Sequence, residues 1–132
     1  IDSFLDADLV FAREAQVYLL GIDKISEEGY QRMSAAYEFY LSGIEATLSD
    51  NEYLAGNSLT IADISFVCDF AQFLREGHYE EQLAGQGLSL ISEGGREEYP
   101  RAYEHMLELN TRPEFSEVMG SYLNWYRRKY EG

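Results

Sequence analysis

The side chains that most often do covalent or acid–base chemistry are few and widely spaced in this sequence. Its only cysteine is Cys68, and its only histidines are His78 and His105. Neither histidine has a second histidine, cysteine or carboxylate at a spacing typical of zinc sites. His105 and Glu108 are three residues apart on one helix, but that spacing alone is a common coincidence. We therefore predict no metal site and expect both histidines at or near the surface. Cys68 falls in a strongly apolar stretch, which favours burial as a small core residue over a nucleophilic role.

Other common catalytic patterns are missing from the sequence. No serine lies in a Gly-x-Ser-x-Gly elbow, and no Ser-His-Asp order is recognisable. The glycines of segment 85–95 are not followed by Gly-Lys-Ser/Thr, which argues against a phosphate-binding loop. Asp6 and Asp8 are two residues apart and cannot share one face of a helix, so they do not form a general acid–base pair.

The most specific local pattern is a helix start at residues 58–64, Ser-Leu-Thr-Ile-Ala-Asp-Ile. Thr60 suits the N-cap and Asp63 suits position N3, where each side chain can bond the other's backbone N–H in a capping box. Leu59 and Ile64 are placed to form a hydrophobic staple across the same turn. The helix dipole also favours the negative charge of Asp63 at this end. The pattern predicts a well-capped helix at about 60–75, and a cap of this kind contributes about 1 kcal/mol.

Composition favours one folded domain with an acidic surface. The chain of 132 residues is 45% hydrophobic and 14% aromatic, which is typical of globular proteins. Its net charge of −14 repels phosphate backbones and anionic lipid, so we expect neither nucleic acid nor a membrane as a partner. A single cysteine forms no internal disulfide and fits a reducing, cytoplasmic location. No apolar run approaches the roughly 20 residues of a membrane span.

Apolar residues recur at helical spacing along nearly the whole chain, without a sustained strand-type alternation. The sequence therefore predicts an all-α fold, a bundle of four or five main helices with short extra ones. Residues 1–20 carry apolar side chains on two faces, which predicts a first helix covered on two sides. The stretch after Thr60 is apolar on most sides and predicts a central buried helix. Segment 85–95 predicts a long loop of the kind that is often functional or mobile.

Two stretches of the sequence resemble the C-terminal domain of cytosolic glutathione transferases. Residues 53–63, Tyr-Leu-Ala-Gly-Asn-Ser-Leu-Thr-Ile-Ala-Asp, match every fixed position of the string that opens the central helix in most members. The Tyr-Pro pair at 99–100 and the Thr-Arg-Pro string at 111–113 are similar to a second family pattern. Here the chain departs from the family, since Tyr103 or His105 stands near the usual tryptophan. The order and spacing of the two patterns fit the family.

The resemblance covers essentially the whole chain and implies that residues 1–132 are one half of a two-domain enzyme. In the family, an N-terminal thioredoxin-like domain binds glutathione and supplies the residue that activates its thiol. The helical C-terminal domain forms most of the pocket for the electrophile. We therefore expect a thioredoxin-like domain before Ile1 in a longer protein. The implied reaction is conjugation of the glutathione thiolate to a small electrophile by a homodimer. Glutathione is then the co-substrate, and this segment alone supplies no cofactor site and no catalytic residue.

The resemblance also implies which residues meet the ligands. The first helix lines the active-site cleft in the family, and theta-like members carry an arginine near the place of Arg13. A guanidinium there attracts the glutathione thiolate or polarises a leaving group, the alternative being an exposed arginine paired with a neighbouring acid. Asp8 is a candidate for the amine of glutathione held by a partner subunit, the alternative being solvated surface. Four further candidates on nearby turns would form the pocket wall: Phe11, Ala12, Gln16 and Tyr18. The alternative for its two aromatic members is the core or a dimer interface.

Two other interpretations of the resemblance stay open. The same domain serves as a non-catalytic interaction module in translation-associated proteins, and a non-catalytic ligand carrier would keep the pocket without turnover. Four aromatic residues near the C-terminus suit either a lid over the pocket or packing of the last helix: Tyr122, Trp125, Tyr126 and Tyr130.

Overall fold

The fold is given by a computed structural model, which describes the backbone of residues 2–130 and the side chains of that range other than those of 2–3, 118–123, 125 and 130. In chain order the helices are α1 (Asp2–Leu20), α2 (Glu27–Leu48), α3 (Ile61–Phe73), a 3₁₀ helix (Leu74–Tyr79), α4 (Glu80–Ala84), α5 (Gly95–Glu98), α6 (Pro100–Leu109) and α7 (Pro113–Tyr130). Residues 2–130 contain no β-strand, so the predicted all-α fold is confirmed. None of the helices described is long and apolar enough to cross a lipid bilayer.

Helix α3 is the centre of the bundle, as its all-round apolar pattern predicts. It packs against α1, α6, α7 and the 3₁₀ helix. The side chains of Phe66, Phe70 and Phe73 are fully buried along it. It is shorter than the predicted 60–75 because Thr60 is its N-cap and the chain tightens into the 3₁₀ helix from Leu74 onward. The predicted central buried helix is thereby confirmed.

Helix α1 is covered on one side only within the described chain. Its inner face packs on α2 and α3 and carries fully buried side chains such as Phe11 and Ala15. Four apolar side chains on its outer face are exposed by 49 to 82%: Leu9, Val10, Val17 and Leu20. The expectation of a first helix covered on two sides is therefore wrong for this chain by itself. Its outer face is an apolar surface open to solvent.

Helix α6 begins at Pro100, which occupies its first turn, and is capped from another helix. No side chain at its own N-cap, Tyr99, makes a capping bond. Instead the Glu45 carboxylate of α2 accepts the backbone N–H groups of Arg101 at 3.2 Å and Ala102 at 2.9 Å. A carboxylate at a helix N-terminus is favoured by the helix dipole as well as by these bonds. This contact joins α2 to α6.

Segment 85–95 is fastened to the bundle by hydrogen bonds, although its length and glycines suggest a mobile loop. The side-chain oxygen of Gln86 accepts the N–H of Ile25 at 2.7 Å, and its amide group donates to the carbonyl of Ile22 at 2.8 Å. The hydroxyl of Tyr30 donates to the carbonyl of Ser89 at 2.5 Å. The segment therefore bridges to the α1–α2 connection and to α2.

Glu76 anchors the far end of the same segment. Its side chain is fully buried, and it accepts the hydroxyl of Tyr18 at 2.6 Å. It also accepts the N–H groups of Ile91 at 3.2 Å and Ser92 at 2.8 Å, and the Ser92 hydroxyl at 2.7 Å. Burial raises the pKa of Glu76, while these four bonds favour its carboxylate form. One side chain thus joins α1, the 3₁₀ helix and segment 85–95.

Gly95 is the point where this segment comes closest to the core. A Cβ at residue 95 would collide with the hydroxyl groups of Tyr37 and Tyr103. Those two hydroxyls are buried and hydrogen-bonded to each other at 2.9 Å. The absence of a side chain is therefore what lets α5 lie against the tyrosine pair.

We expect Gly95→Ala to lower the free energy of unfolding by about 2 kcal/mol, because an extra carbon in a packed core costs roughly 1–3 kcal/mol. Gly43→Ala is the matched control, since a Cβ there meets nothing within 4 Å in α2. Alanine in a helix interior is favoured over glycine by about 0.5–1 kcal/mol, so this variant should be slightly more stable. Urea unfolding followed by circular dichroism measures both. Wild-type stability in Gly95→Ala would contradict the close approach.

Candidate functional site

Helix α1 divides the predicted pocket residues between its two sides. Arg13 and Gln16 are exposed on the outer side, and Ala12 is half-buried at the boundary. Phe11 and Tyr18 lie on the inner side, with 0% and 2% of their surface exposed. The five residues therefore do not form one wall in the structure. The predicted contact of Arg13, Ala12 and Gln16 with the substrate stays a prediction.

Phe11 and Tyr18 are core residues here. The Phe11 ring lies 4.9 Å from the ring of Tyr40 and 5.4 Å from that of Phe73, measured between centroids. Tyr18 has its hydroxyl on the buried Glu76 carboxylate. Neither ring can meet a ligand in this arrangement, so the structure supports the core alternative for both.

Arg13 has neither a hydrogen-bond partner nor an ion-pair partner among the described residues. Its neighbour Glu14 pairs instead with Arg32 of α2, at 3.3 Å. The alternative of an Arg13 ion pair with a nearby acid is thus not seen. A guanidinium without a partner, surrounded by the exposed apolar side chains of α1, is open to an anionic or polarisable ligand.

Asp8 is buried, with only 5% of its surface exposed. The hydroxyl of Tyr40 donates to its Oδ1 at 3.1 Å, and Asp69 of α3 is a neighbouring acid. Burial, followed by the contact with Asp69, raises the pKa of Asp8 to about 8. The structure thus places Asp8 inside the bundle, so the alternative of solvated surface is wrong because only 5% of its surface is exposed, and its contact with an amine held by another subunit stays a prediction.

The capping residues at the start of α3 form a network larger than the one predicted. Thr60 and Asp63 face each other in a capping box, and Oδ2 of Asp63 accepts the Thr60 N–H at 2.9 Å. Oδ1 of Asp63 accepts the N–H of Leu54 at 3.0 Å and lies 2.9 Å from Nε2 of His105. Burial opposes ionisation, but these bonds outweigh it and lower the pKa of Asp63. Because an ionised carboxylate only accepts hydrogen bonds, the hydrogen between Asp63 and His105 belongs to Nε2 of His105.

The staple predicted beside the capping box stays a prediction. Leu59 is half-buried and packs against the core. Ile64 is 43% exposed, and Ile61 in the same turn is 58% exposed. The first turn of α3 therefore has an apolar outer side that this chain leaves open.

His105 was not found by sequence reasoning, which expected it at or near the surface. Only 9% of its surface is exposed, and its ring stacks on Phe66 at 6.1 Å between centroids. The one signal in the sequence was its place near the usual tryptophan of the family pattern. Glu76 was also missed, because a single glutamate in a helical stretch resembles a surface residue.

A small polar cleft of about 190 Å³ lies beside His105, lined also by Tyr53, Glu108 and Arg112. The Arg112 guanidinium donates to the Tyr53 hydroxyl at 2.6 Å and lies over its ring, which leaves the arginine already engaged. No group of three or more His, Cys, Asp or Glu side chains in the described part of the chain is arranged to hold a metal ion. Tyr122, Trp125 and Tyr130 lie outside the described side chains, and Tyr126 is buried.

Residues 1–113 match the family model of the glutathione S-transferase C-terminal domain. The chain belongs to this family. The match spans most of the chain and includes α1, the capping network and α6. Searches of curated proteins and of solved structures found no match. In this glutathione transferase domain the buried carboxylate of Asp63 bonds to the first pattern through Leu54 and Thr60 and to α6 through His105.

We expect Asp63→Asn to lower the free energy of unfolding at pH 7 by about 3 kcal/mol, because a buried carboxylate that accepts two backbone N–H groups and the His105 imidazole loses one acceptor oxygen. The pKa of Asp63 is lowered in the fold, so its contribution is present above the unfolded pKa of about 3.9 and disappears as the pH falls below that value. The wild type should therefore lose its advantage over Asp63→Asn in acid.

Thermal unfolding of both proteins from pH 7 down to about pH 2.5 measures this convergence. Asp23→Asn, in the exposed turn after α1, removes one negative charge without touching a buried network and serves as the control. A constant stability difference between wild type and Asp63→Asn at all pH values would rule out an ionised Asp63.

Proposed function

We propose that this chain is the electrophile-binding and dimer-forming half of a glutathione transferase, which adds the glutathione thiolate to small electrophiles. The family match supports the transferase domain itself. The observation that carries the finer proposal is the outer face of α1, where Arg13 stands without a partner among exposed apolar side chains. Ligand sites of this kind combine apolar walls with a few polar groups.

Arg13 is the residue proposed to act on the ligands. Its charge is permanent near neutral pH, and its donors suit a carboxylate or thiolate. In a cleft closed by a second domain, the local dielectric falls and the attraction between a guanidinium and an anion strengthens. Arg13 would then stabilise the thiolate or the negative charge that develops on a leaving group.

The outer face of α1 also supports the proposed partners. The isolated domain exposes the apolar surface of four side chains to water: Leu9, Val10, Val17 and Leu20. Burying such surface yields roughly 25 cal/mol per Å², so a second protein surface here is favourable. We assign this face to the thioredoxin-like domain of the same protein and to the second subunit, with the electrophile between them.

The isolated chain is expected to show no conjugation of a chlorinated nitrobenzene with glutathione. The proposal assigns activation of the thiol to a serine, tyrosine or cysteine of the thioredoxin-like domain, and residues 2–130 contain no strand of such a domain. Absorbance of the conjugate, followed with pure protein over a range of glutathione concentrations, measures the rate. Turnover above the uncatalysed reaction would contradict this division of labour.

In the protein that includes the thioredoxin-like domain, Arg13→Ala should lower kcat/KM by at least about tenfold, which corresponds to roughly 1.4 kcal/mol of transition-state stabilisation. Arg32→Ala is the matched control, since Arg32 is an arginine of α2 engaged with Glu14. Steady-state kinetics with several electrophiles measure both variants. Unchanged kinetics for Arg13→Ala would remove Arg13 from the site and favour a domain that binds without catalysing.

A further inference from the structure

The polar cleft beside His105 shares no residue with the outer face of α1 and takes no part in the proposed conjugation. Its walls come from the connection between α2 and α3, from α6, and from the turn between α6 and α7. Its volume is about 190 Å³. Sites for drug-sized ligands measure roughly 300–1,000 Å³, so this cleft suits only a small molecule.

One nitrogen of His105 has no partner at this cleft. The residue is 9% exposed, and its Nε2 donates to the Asp63 carboxylate at 2.9 Å. The neutral ring therefore carries a bare lone pair on Nδ1, which bonds to no described residue. Within the described part of the chain, the fully enclosed polar atoms without a partner are two others, Oδ1 of Asn110 and Nε of Arg127. Nδ1 is therefore a hydrogen-bond acceptor that is open to the cleft.

Arg112 supplies hydrogen-bond donors to the same cleft. Its guanidinium donates to the Tyr53 hydroxyl at 2.6 Å and lies 5.8 Å from the centroid of that ring. The His105 ring meets the same tyrosine edge-on, at 6.0 Å between centroids, so one ring contacts both side chains. A guanidinium has five N–H donors, and the bond to Tyr53 uses one of them. The others bond to no described side chain and suit an anionic oxygen.

Two carboxylates complete the cleft and limit the charge of its ligand. Glu52 and Glu108 border it, and neither side chain is paired with a described residue. A simple anion on Arg112 would therefore face two negative charges, and a simple cation would face the guanidinium. A small molecule with both charges avoids these conflicts, and its ammonium group also supplies the donor that Nδ1 of His105 lacks.

We propose that this cleft binds a free α-amino acid. The carboxylate of the ligand accepts hydrogen bonds from the Arg112 guanidinium, and its ammonium group donates to Nδ1 of His105 and to the carboxylate of Glu108. His105 and Glu108 are three residues apart on α6 and therefore lie on one face of it. Asp63 positions the imidazole, since it holds the ring hydrogen on Nε2 and leaves Nδ1 as the acceptor.

The test is a nuclear magnetic resonance titration of the chain, labelled with ¹⁵N in its histidine rings, with L-alanine at about pH 8, where an unperturbed imidazole is neutral. The Nδ1 signal of His105 should shift in a saturable way, because a donor now reaches its lone pair. His78 does not border this cleft, so its signals in the same spectrum should stay in place. Absence of a saturable His105 shift would overturn the proposal.

Two smaller probes separate the halves of the ligand. Acetate carries only the carboxylate and methylammonium only the ammonium group, so each should need at least about tenfold higher concentration than L-alanine to shift the His105 signal. If acetate acts at the same concentration as L-alanine, the cleft binds anions through Arg112 alone. If methylammonium does so, it binds cations through its carboxylates. Either result contradicts an amino-acid site.

Two variants test the assigned contacts. Arg112→Gln and Glu108→Gln should each weaken L-alanine binding at least about tenfold, because each removes the charge that meets one end of the ligand. Arg128→Gln and Glu104→Gln are the matched controls, since both residues are exposed and neither borders the cleft, and they should keep wild-type affinity. If Arg112→Gln fails to fold, Glu108→Gln decides, because its position is exposed. Wild-type affinity in either test variant means that the ligand is not held as proposed.

Discussion

The carboxylate of Asp63 is the contact on which the arrangement of the bundle depends. It caps α3 through Thr60, holds the preceding turn through the N–H of Leu54, and joins α6 through His105. Each bond would be modest in solvent, but a buried acceptor that lost its donors would destabilise the fold by a few kcal/mol. Because α3 packs against α1, α6 and α7, the contacts that hold its first turn act at the centre of the bundle.

The part of this network that is close in sequence could be predicted, and the distant part could not. Thr60 and Asp63 are three residues apart, so local rules for helix capping apply to them directly. His105 reaches Asp63 across 42 residues, and Tyr18 reaches Glu76 across 58. A single sequence shows no coupling over such distances. The hydrogen bonds that hold segment 85–95 could not be predicted for the same reason. Its glycines indicate turns, but they do not indicate which distant residues the segment bonds to.

The candidate site could be predicted only as far as the helix that carries it. Periodicity placed Phe11 and Tyr18 on α1, and the family resemblance pointed to Arg13, but neither could tell which apolar side meets the core and which meets another protein surface. Leu9 is exposed and Phe11 is buried, although both are large apolar residues two positions apart. The deciding contacts come from α2 and α3. The resemblance to the family indicated that α1 lines the site, and the structure shows which of its side chains are buried and which are exposed.

Three buried carboxyl groups show how donors, and not burial alone, set the charge of this core. Asp63 accepts two backbone N–H groups and the imidazole, and its pKa is lowered although burial opposes this. Glu76 accepts four hydrogen bonds but no positive charge lies among them, and burial prevails. Asp8 has a single hydrogen-bond donor, Tyr40, and burial with the neighbouring acid Asp69 raises its pKa. The inner face of α1 meets the core through Phe11, Tyr18 and the buried Asp8, whereas Arg13, a charge with no partner among the described residues, lies on the outer face, where the proposed ligands and the second domain would meet it.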